Sequence, residues 1–558
     1  MTPAKLADVV LTAVKAVFSA RGLDAAVLPE TTTVERPRNP EHGDYASNLA
    51  MQLAKRVGVA PRELAGWVAE ELGKADGITG VEVAGPGFLN IRVSSAAAGG
   101  LARTVVEQGR EYGRGDALAG QKINLEFVSA NPTGPIHLGH TRWAALGDSL
   151  HRLLEAAGAE VASEHYINDA GTQMRKFAES LYAASRGEPK PEGGYGGAYV
   201  GEIAQQVVAD KPELAEQLAE LPADAAIDYF AERGYQLMLG EMQASLRRFG
   251  VEFDIWFSEK TLHASGAVEH ALDELRKQGH VFESEGATWL RTTDFTDDRD
   301  RVLIRSNGEK TYFAADAAYY INKRERGFDR CLYMLGADHH GYVNRLKALA
   351  ACAGDDPEEH IEVMIGQLVK LVRDGVEVKL SKRGGNIVTL DELVDAVGVD
   401  AARYTLARYS ADSPMTMDIA LITRQTNDNP VFYVQYVAAR TAAVSRNAAD
   451  LGITRGAAED FTPELLEHPK EGDLLLALAE FPQVVATAAQ LRAPHRVARY
   501  LEELAGTYHR FYDNCRILPR GDEPATDLHR ARLWLNDATR VVIANGLELL
   551  GVSAPERM

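Results

Sequence analysis

The stretch Phe127-Val-Ser-Ala-Asn-Pro-Thr-Gly-Pro-Ile-His-Leu-Gly-His140 carries the strongest structural signal in the chain. Residues 122–128 just before it have the pattern of a buried strand, and a helical pattern follows from about residue 138 to 157. A strand, a Pro/Gly-rich turn and a helix together make one βα unit, and residues 160–167 predict the next strand. The stretch therefore predicts an α/β fold with a parallel sheet.

Working outward, the chain divides into regions of different pattern. The first hundred or so residues predict a small mixed domain, with helices at 4–21 and 45–57 and strand character in 78–93. Residues 180–260 predict a helical insertion, and 302–306 and 331–335 predict further strands. From residue 390 onward, apolar residues recur at helical spacing, most clearly in 430–444, 473–492 and 496–512.

Composition limits the class of protein. The chain has 558 residues, 46% apolar and 25% charged, which excludes disorder as its main state. The net charge of −20 argues against non-specific binding of nucleic acid but allows a local basic surface. No apolar run long enough for a membrane helix is present, and the first 28 residues predict an amphipathic helix, so we expect a cytoplasmic protein that does not contact a membrane. Cys331, Cys352 and Cys515 form no C-x-x-C pair and predict buried structural thiols.

His137 and His140 are the first candidate functional residues. They lie where a strand ends and a helix begins, a position that presents free N–H groups and suits phosphate. Their spacing of three lets both rings face one ligand, and Gly134 and Gly139 let that ligand approach the backbone. Two alternatives stay open at this point: a metal site, for which we find no third ligand nearby, and a purely structural histidine pair.

The run Asn131-Pro-Thr-Gly-Pro-Ile-His-Leu-Gly-His140 resembles the "HIGH" signature of class I aminoacyl-tRNA synthetases. The second signature of that class is a lysine-serine-lysine loop, and Lys379-Leu-Ser-Lys382 resembles it closely, followed by Gly384 and Gly385. The resemblance implies a Rossmann-like catalytic domain that activates an amino acid with ATP. No covalent nucleophile is needed, because catalysis consists of positioning and electrostatic stabilisation of the phosphates.

The resemblance also implies roles for individual residues. His137, His140, Lys379 and Lys382 would be catalytic, the lysines stabilising the leaving pyrophosphate, and Mg²⁺ would arrive bound to ATP. We expect no tightly bound cofactor and no metal site of the protein's own. The residues expected to bind ATP are Asn131, Gly134, His137, Gly139, His140, Lys379, Ser381 and Lys382.

Three segments resemble the arginyl-tRNA synthetases in particular: Glu126-Phe-Val-Ser-Ala-Asn131, Tyr166-Ile-Asn-Asp-Ala-Gly171 and Lys310-Thr-Tyr-Phe-Ala-Ala-Asp-Ala-Ala-Tyr319. By that resemblance Tyr312 and Asp316, four apart on one helical face, contact the guanidinium. A carboxylate can hold a planar guanidinium by two parallel hydrogen bonds, which an ammonium cannot reproduce. A helix with a capping aspartate is the alternative for these two residues taken alone. The residues expected to bind arginine are Glu126, Ser129, Asn131, Tyr312, Asp316 and His339.

Two appended regions resemble the tRNA-contacting domains of that family. Phe88 and Asn90, in Gly85-Pro-Gly-Phe-Leu-Asn90, could stack on and hydrogen-bond an unpaired base, or could be a core phenylalanine and a turn asparagine. Asp400-Ala-Ala-Arg-Tyr404 resembles the element that introduces the anticodon-binding helices. Residues 491–520 are locally basic, which predicts phosphate contacts and stacking, an ordinary solvated helix face being the alternative. The expected tRNA-binding residues there are Arg496, Arg499 and Tyr508, with Arg492, Arg510 and Tyr512 as further candidates.

These observations predict an arginine–tRNA ligase with three domains: residues 1–110 contacting tRNA, 111–395 catalytic with the insertion, and 396–558 helical and anticodon-binding. We expect a monomer whose arginine activation needs tRNA, as the resemblance implies. Three rivals stay open: a class I synthetase for another amino acid, a non-catalytic tRNA-binding paralogue and a small-molecule adenylyltransferase. Glutamate is disfavoured because Asp316 would repel its carboxylate, and cysteine because no cysteine-based zinc site can be built. The space between the two signatures is too small for the editing insertion of the isoleucine, leucine and valine enzymes.

Overall fold

The computed structural model describes residues 1–37, 39–210, 222–339, 341–378 and 388–558. Within these residues the strands form four sheets. In chain order the strands are β1 (Tyr45–Ser47), β2 (Ile78–Ala84), β3 (Phe88–Val93), β4 (Lys122–Glu126), β5 (Glu160–Ile167), β6 (Ile255–Ser258), β7 (Val281–Ser284), β8 (Ala287–Leu290), β9 (Arg301–Ile304), β10 (Arg330–Gly336), β11 (Ile361–Gly366), β12 (Val369–Arg373), β13 (Val376–Glu377) and β14 (Met415–Asp418).

The central sheet has five strands in the order β11-β10-β4-β5-β6, and every neighbouring pair is parallel. The predicted βα unit is confirmed: β4 leads through the Pro/Gly turn into the helix Leu138–Ala156, here named the signature helix, and then into β5. Because all five strands run the same way, their carboxyl ends meet at one edge of the sheet, where parallel α/β folds bind ligands. The predicted Rossmann-like α/β class is confirmed.

The predicted insertion is helical, but its end was placed wrongly. Residues 255–258 form β6, which pairs with β5 at the edge of the central sheet. This strand has four half-buried residues and no alternation, so its pattern is too weak to separate from the helices before it. The helices of this part of the chain are Thr172–Ser185, Ala198–Ala209, Ala223–Arg248, Glu259–Ala264, Ala267–Lys277, Tyr312–Glu325, Tyr342–Cys352, Pro357–His360 and Leu390–Val397.

The N-terminal part packs helices on the antiparallel sheet β1-β3-β2. The predicted helix over 45–57 is wrong in its first turn, because residues 45–47 form β1 and pair with β3. The strand character of 78–93 is a hairpin whose turn contains Pro86 between two glycines of positive φ. The helices here are Pro3–Arg21, Leu49–Val57, Pro61–Leu72 and Ser95–Gln108. This confirms a small α+β region.

The C-terminal part is helical, as predicted. The pattern at 473–492 belongs to two helices, because a new helix begins at Phe481 after Glu480, with Pro482 in its first turn. By length and composition alone, the segment Pro469–Gln490 could cross a membrane. In the structure, 50% of its apolar stretch is buried inside the protein. The helices here are Val399–Ala407, Ile419–Ile422, Pro430–Asp450, Pro469–Ala479, Phe481–Gln490, His495–Asn514 and Asp527–Leu549.

Two buried arginines join the signature helix to its surroundings. Arg142 donates hydrogen bonds of 2.7–2.9 Å to three backbone carbonyls between residues 367 and 413. Arg403, fully buried, pairs with Asp148 of the signature helix and donates to the Leu550 carbonyl near the C-terminus. Since a buried cation needs such partners, these contacts hold the helix in a fixed position between the sheet and the C-terminal helices.

Candidate active site

The backbone leaves β4 through a strained turn. Val128 and Ser129 have φ of 67° and 41°, values that side chains with a Cβ rarely adopt and that a β-branched valine adopts least readily. The turn aims the Ser129 hydroxyl back at the strand, where it donates to Glu126 Oε1 at 3.0 Å and accepts from the Tyr166 backbone N–H at 3.1 Å. Glu126 and Ser129 therefore form one unit at the carboxyl end of β4.

The next residues of the turn are held from β5 and from the helix beyond it. The Ala130 backbone N–H donates to Nε2 of His165, a fully buried histidine. Asn131 Nδ2 donates to Gln173 Oε1 at 2.6 Å. The Asn131 amide is thus held in one orientation at the carboxyl edge of the central sheet, next to the histidine signature.

His137 and His140 face each other at the start of the signature helix. Their rings stack with centroids 3.7 Å apart and planes 25° apart. Burial lowers the pKa of His137, and burial followed by the neighbouring His137 and His165 lowers the pKa of His140 to about 3. Both rings are therefore neutral near pH 7, so that each offers one N–H donor.

Gly134 and Gly139 each lie against a side chain of the protein. A Cβ at Gly134 would lie 3.2 Å from the hydroxyl of Tyr199, which donates to the Thr133 carbonyl at 2.9 Å. A Cβ at Gly139 would lie 3.2 Å from the His137 ring. The glycines therefore make room for Tyr199 and His137, a packing role that the sequence did not reveal beside their predicted role in ligand approach.

The second signature, with Lys379, Ser381 and Lys382, lies outside the described residues. The chain that follows it is fixed to the first signature: the Leu138 backbone N–H donates to the Val388 carbonyl at 2.9 Å, and the Leu390 N–H donates to the Ile136 carbonyl at 2.7 Å. His137 and Thr389 form an antiparallel bridge between these two bonds. The segment after the lysines is therefore anchored beside the histidines.

Asp316 and Tyr312 lie on the helix Tyr312–Glu325, here named the acidic-face helix. Asp316 accepts a hydrogen bond from the Tyr342 hydroxyl. Burial raises the pKa of Asp316 to about 6, opposed by the Tyr342 hydrogen bond and reinforced by Glu259 and Glu126. Tyr312 is 63% exposed, and its hydroxyl lies 3.8 Å from a Cβ built on Gly171. The structure thus brings the two residues to the same edge as the end of β5.

Glu259 is a site residue that sequence reasoning missed. It is buried at the start of the helix Glu259–Ala264, immediately after β6. Its charge acts on Asp316, and its hydrogen bond and charge, after burial, raise the pKa of Tyr166. Recognising β6 as a parallel strand would have pointed to it, because an acid at the carboxyl end of such a strand lies at the site.

A third carboxylate is paired with a lysine that the sequence did not single out. Lys323 Nζ, on the acidic-face helix, lies 2.6 Å from Glu126 Oε2. His339, the remaining predicted arginine contact, is exposed on the turn after β10, with its ring 6.1 Å from that of Tyr342. The structure therefore brings Asp316 and His339 to Tyr342, and it places Glu126 near enough to Asp316 for its charge to act there.

The predicted tRNA contacts differ in exposure. Phe88 is 39% exposed, and Arg496 and Arg499 are exposed. Asn90 is buried in the middle strand of its sheet. Tyr508 is also buried and donates a 2.7 Å hydrogen bond to Asn536, so it belongs to the core of the helical part, and its ring has no surface on which a base could stack.

An aromatic and cationic cluster beside Tyr508 escaped the sequence analysis. The Arg440 guanidinium lies 4.6 Å from the ring centroids of both Tyr436 and Tyr512. The ring of His509 lies 6.0 Å from that of Tyr436. Only tertiary packing joins Arg440 and Tyr436, from one helix, to Tyr512 of another.

The described part of the chain contains no group of three or more His, Cys, Asp or Glu that could hold a metal ion. Cys331, Cys352 and Cys515 are free and buried, and burial raises the pKa of each thiol. The prediction of buried structural cysteines is confirmed.

Comparisons with known proteins cover most of the chain. Three family descriptions match: "Arginyl tRNA synthetase N terminal domain" over 4–93, "tRNA synthetases class I (R), catalytic domain" over 103–192 and 215–419, and "DALR anticodon binding domain" over 434–558. These matches include both signature regions and both appended regions singled out above.

Solved structures share the fold. An arginyl-tRNA synthetase of Thermus thermophilus is 22% identical with a TM-score of 0.75, and one of Plasmodium falciparum is 16% identical with a TM-score of 0.72; each match covers 100% of both chains. A methionyl-tRNA synthetase of Mycobacterium tuberculosis in complex with methionyl-adenylate is 14% identical, with a TM-score of 0.55, over 77% of this chain and 91% of that one.

Proposed function

The chain belongs to the arginyl-tRNA synthetases of class I, and from this premise we propose how its residues divide the work of the reaction. It is an arginine–tRNA ligase. The arginine carboxylate attacks the α-phosphate of ATP and displaces pyrophosphate, and the resulting adenylate passes its arginyl group to the 3′ end of tRNA, releasing AMP. The observation that carries the proposal is the meeting of the acidic-face helix and the histidine signature at one edge of the central sheet.

Asp316 and Tyr312 hold the guanidinium, with Glu259 as a second carboxylate beside them. A planar guanidinium that forms two parallel hydrogen bonds to a carboxylate gains both energy and orientation. Glu126, Ser129 and Asn131 hold the α-amino and carboxylate groups, and His339 lies at the rim of this part of the site. Glu259 and Glu126 lie near enough to Asp316 for their charges to raise its pKa. Such a group of neighbouring carboxylates supports the binding of arginine, which carries a cationic group at each end.

His137 and His140 donate hydrogen bonds to the ATP phosphates as neutral rings. Lys379, Ser381 and Lys382 supply the positive charge that stabilises the leaving pyrophosphate. The anchoring of Val388 to Leu138 supports this, because residues 388–390, which follow the lysines in the chain, lie beside the histidines. Mg²⁺ enters as part of the Mg–ATP substrate and needs no cage of protein ligands.

The tRNA surfaces are Phe88 on the N-terminal part, Arg496 and Arg499 on the C-terminal helices, and the Arg440 cluster with Tyr436 and Tyr512. Exposed aromatic rings and arginines are the groups on which unpaired bases stack. We keep the boundaries 1–110, 111–395 and 396–558, a monomeric state and a cytoplasmic location as parts of the proposal.

The test is exchange of pyrophosphate into ATP, measured with each of the twenty amino acids, with and without total tRNA. We expect exchange with arginine alone, and only when tRNA is added. Exchange with another amino acid would contradict the roles of Tyr312 and Asp316. Exchange with none, together with intact tRNA binding, would contradict the assignment of the histidines and lysines to catalysis.

A further inference from the structure

Lys323 is fully buried, an environment that lysine almost never occupies without a partner. Its ammonium lies 2.6 Å from Glu126 Oε2, and it lies over the rings of Tyr319 and Tyr333, 4.3 and 3.9 Å from their centroids. A buried ion pair gains little stability over well-packed apolar residues of similar volume. The presence of a charge here therefore calls for a reason other than stability.

The sheet places two carboxylates side by side beneath the acidic-face helix. Glu126 on β4 is directly opposite Glu164 on β5, where like charges repel. Glu164 has its own cation, because Arg326 donates to both of its oxygens at 2.8 and 2.9 Å. The charge of Lys323 also helps to lower the pKa of Glu164, but its hydrogen bond goes to Glu126, and within the described residues it is the cation that pairs with that carboxylate.

Both oxygens of Glu126 are then oriented. Lys323 donates to Oε2, and the Ser129 hydroxyl of the strained turn donates to Oε1. The carboxylate also lies near enough to Asp316 for its charge to act there. Without Lys323, Oε2 of Glu126 would lose its hydrogen-bond donor, and the carboxylate would lose one of the two bonds that fix its orientation.

Residues on one side of the acidic-face helix lie near both the guanidinium end and the α-amino end of the proposed arginine site. Tyr312, Asp316, Tyr319 and Lys323 follow one another at spacings of four, three and four, which places them on one side of a helix. Asp316 lies at the guanidinium end of the stripe, and Lys323 lies seven residues on, against Glu126.

We propose that Lys323 is a positioning residue for arginine activation: it holds the Glu126 carboxylate aimed at the arginine α-ammonium. The inference rests on the proposed function, which assigns Glu126 to that group. Lys323 does not touch the substrate, and its effect is confined to the α-amino end.

Lys323→Met tests this inference with two ligands in the aminoacylation assay, arginine as substrate and 5-guanidinopentanoate as inhibitor. The inhibitor keeps the guanidinium and carboxylate but lacks the α-amino group. We expect the KM for arginine to rise about 10- to 100-fold, the range for a lost charged hydrogen bond. The Ki of the inhibitor and the KM for ATP should stay within about threefold. Arg324→Met is the matched control, since Arg324 on the same helix pairs with Asp355.

An equal rise for arginine and the inhibitor would overturn the inference, because Lys323 would then support the whole pocket. An unchanged KM for arginine would overturn it too. If the wild-type enzyme itself binds the inhibitor as well as arginine, the Glu126 assignment fails instead, which is a distinct outcome.

A double-variant cycle covers the case in which Lys323→Met alone does not fold. Removing both charges in Lys323→Met with Glu126→Gln avoids the unpaired buried carboxylate. If Lys323 acts through Glu126, this double variant has a KM for arginine no higher than Glu126→Gln alone. A further rise of about tenfold in the double variant would overturn the inference.

Discussion

At the histidine end of the proposed active site the polar groups are neutral and make few hydrogen bonds, whereas at the carboxylate end they are acidic and bonded to neighbouring side chains. His140 Nδ1 is buried and has no hydrogen-bond partner in the described chain, and burial lowers the pKa of the ring to about 3. By contrast, Glu126 is bonded at both oxygens, and Asp316 is bonded to Tyr342. The histidine end therefore offers uncharged donors, and the carboxylate end offers acidic acceptors.

The difference matches what each substrate brings. ATP carries negative phosphates and arrives with bound Mg²⁺. Neutral donors can therefore contact the phosphates without competing with Mg²⁺ for them. In the proposed function arginine brings two cationic groups to the carboxylate end, which therefore needs several carboxylates held close together despite their mutual repulsion. Four variants test this contrast, in order of decreasing expected effect.

Asp316→Asn should give the largest loss. The guanidinium then loses its charged acceptor, and kcat/KM for arginine should fall by about 10³- to 10⁴-fold in pyrophosphate exchange. The KM for ATP should stay near that of the wild type. Glu325→Gln is the control, because Glu325 ends the same helix on the surface, bonded to His270. Equal losses for arginine and ATP would mean that Asp316 maintains the fold.

His140→Ala should lower kcat by about 10²- to 10³-fold, the usual effect of removing one donor to a transition-state oxygen. The KM for arginine should change little, which is the reverse of the Asp316 result. His151→Ala is the matched control on the same helix, where His151 pairs with Glu155. A rise in the KM for arginine without a fall in kcat would contradict the separation of the two ends.

The pH dependence should also separate the ends. Burial raises the pKa of Asp316 to about 6, so kcat/KM for arginine should fall about tenfold per pH unit below that value as the carboxylate takes up a proton. Tyr342→Phe removes a hydrogen bond that favours the ionised form, so the inflection should move upward by about one unit. The KM for ATP should show no inflection near pH 6, because the pKa of His140 lies near 3. An inflection near pH 6 in both the arginine kcat/KM and the ATP KM would contradict the separation of the two ends.

Tyr199→Phe should have the smallest effect. It removes the hydrogen bond to the Thr133 carbonyl in the Pro/Gly turn, worth about 0.5–1.5 kcal/mol of unfolding free energy. The KM for ATP should rise about two- to fivefold and that for arginine should not. A thermal melt and the KM values for ATP and arginine check this. A change in the KM for arginine alone would contradict the assignment of Tyr199 to the ATP end of the site.

The sequence predicted the parts of the site that lie next to each other in the chain. The strand over 160–167 matches β5 at both ends, and His137 and His140 stack as their spacing suggested. Sequence reasoning failed where tertiary contacts decide. Glu259 follows a four-residue strand with no pattern of its own, and Lys323 meets Glu126 only through the tertiary packing of its helix.

Exposure was the other limit. Tyr508 and Arg499 lie on one amphipathic helix, His495–Asn514, and the sequence placed both at the surface. Packing against the helix Asp527–Leu549 buries Tyr508, whereas Arg499 stays exposed. Periodicity shows that a helix has two faces, but the partner helix determines how far the buried face extends.

The most direct test of the central claim is the ratio of kcat/KM for arginine to that for citrulline, which has nearly the same shape and no charge on its side chain. The wild-type ratio should be at least about 10⁴, since a site built for the guanidinium leaves charged groups unpaired with citrulline. In Asp316→Asn the ratio should fall to within about tenfold of one. A ratio that stays at the wild-type value in this variant would contradict the claim that Asp316 recognises the charge of arginine.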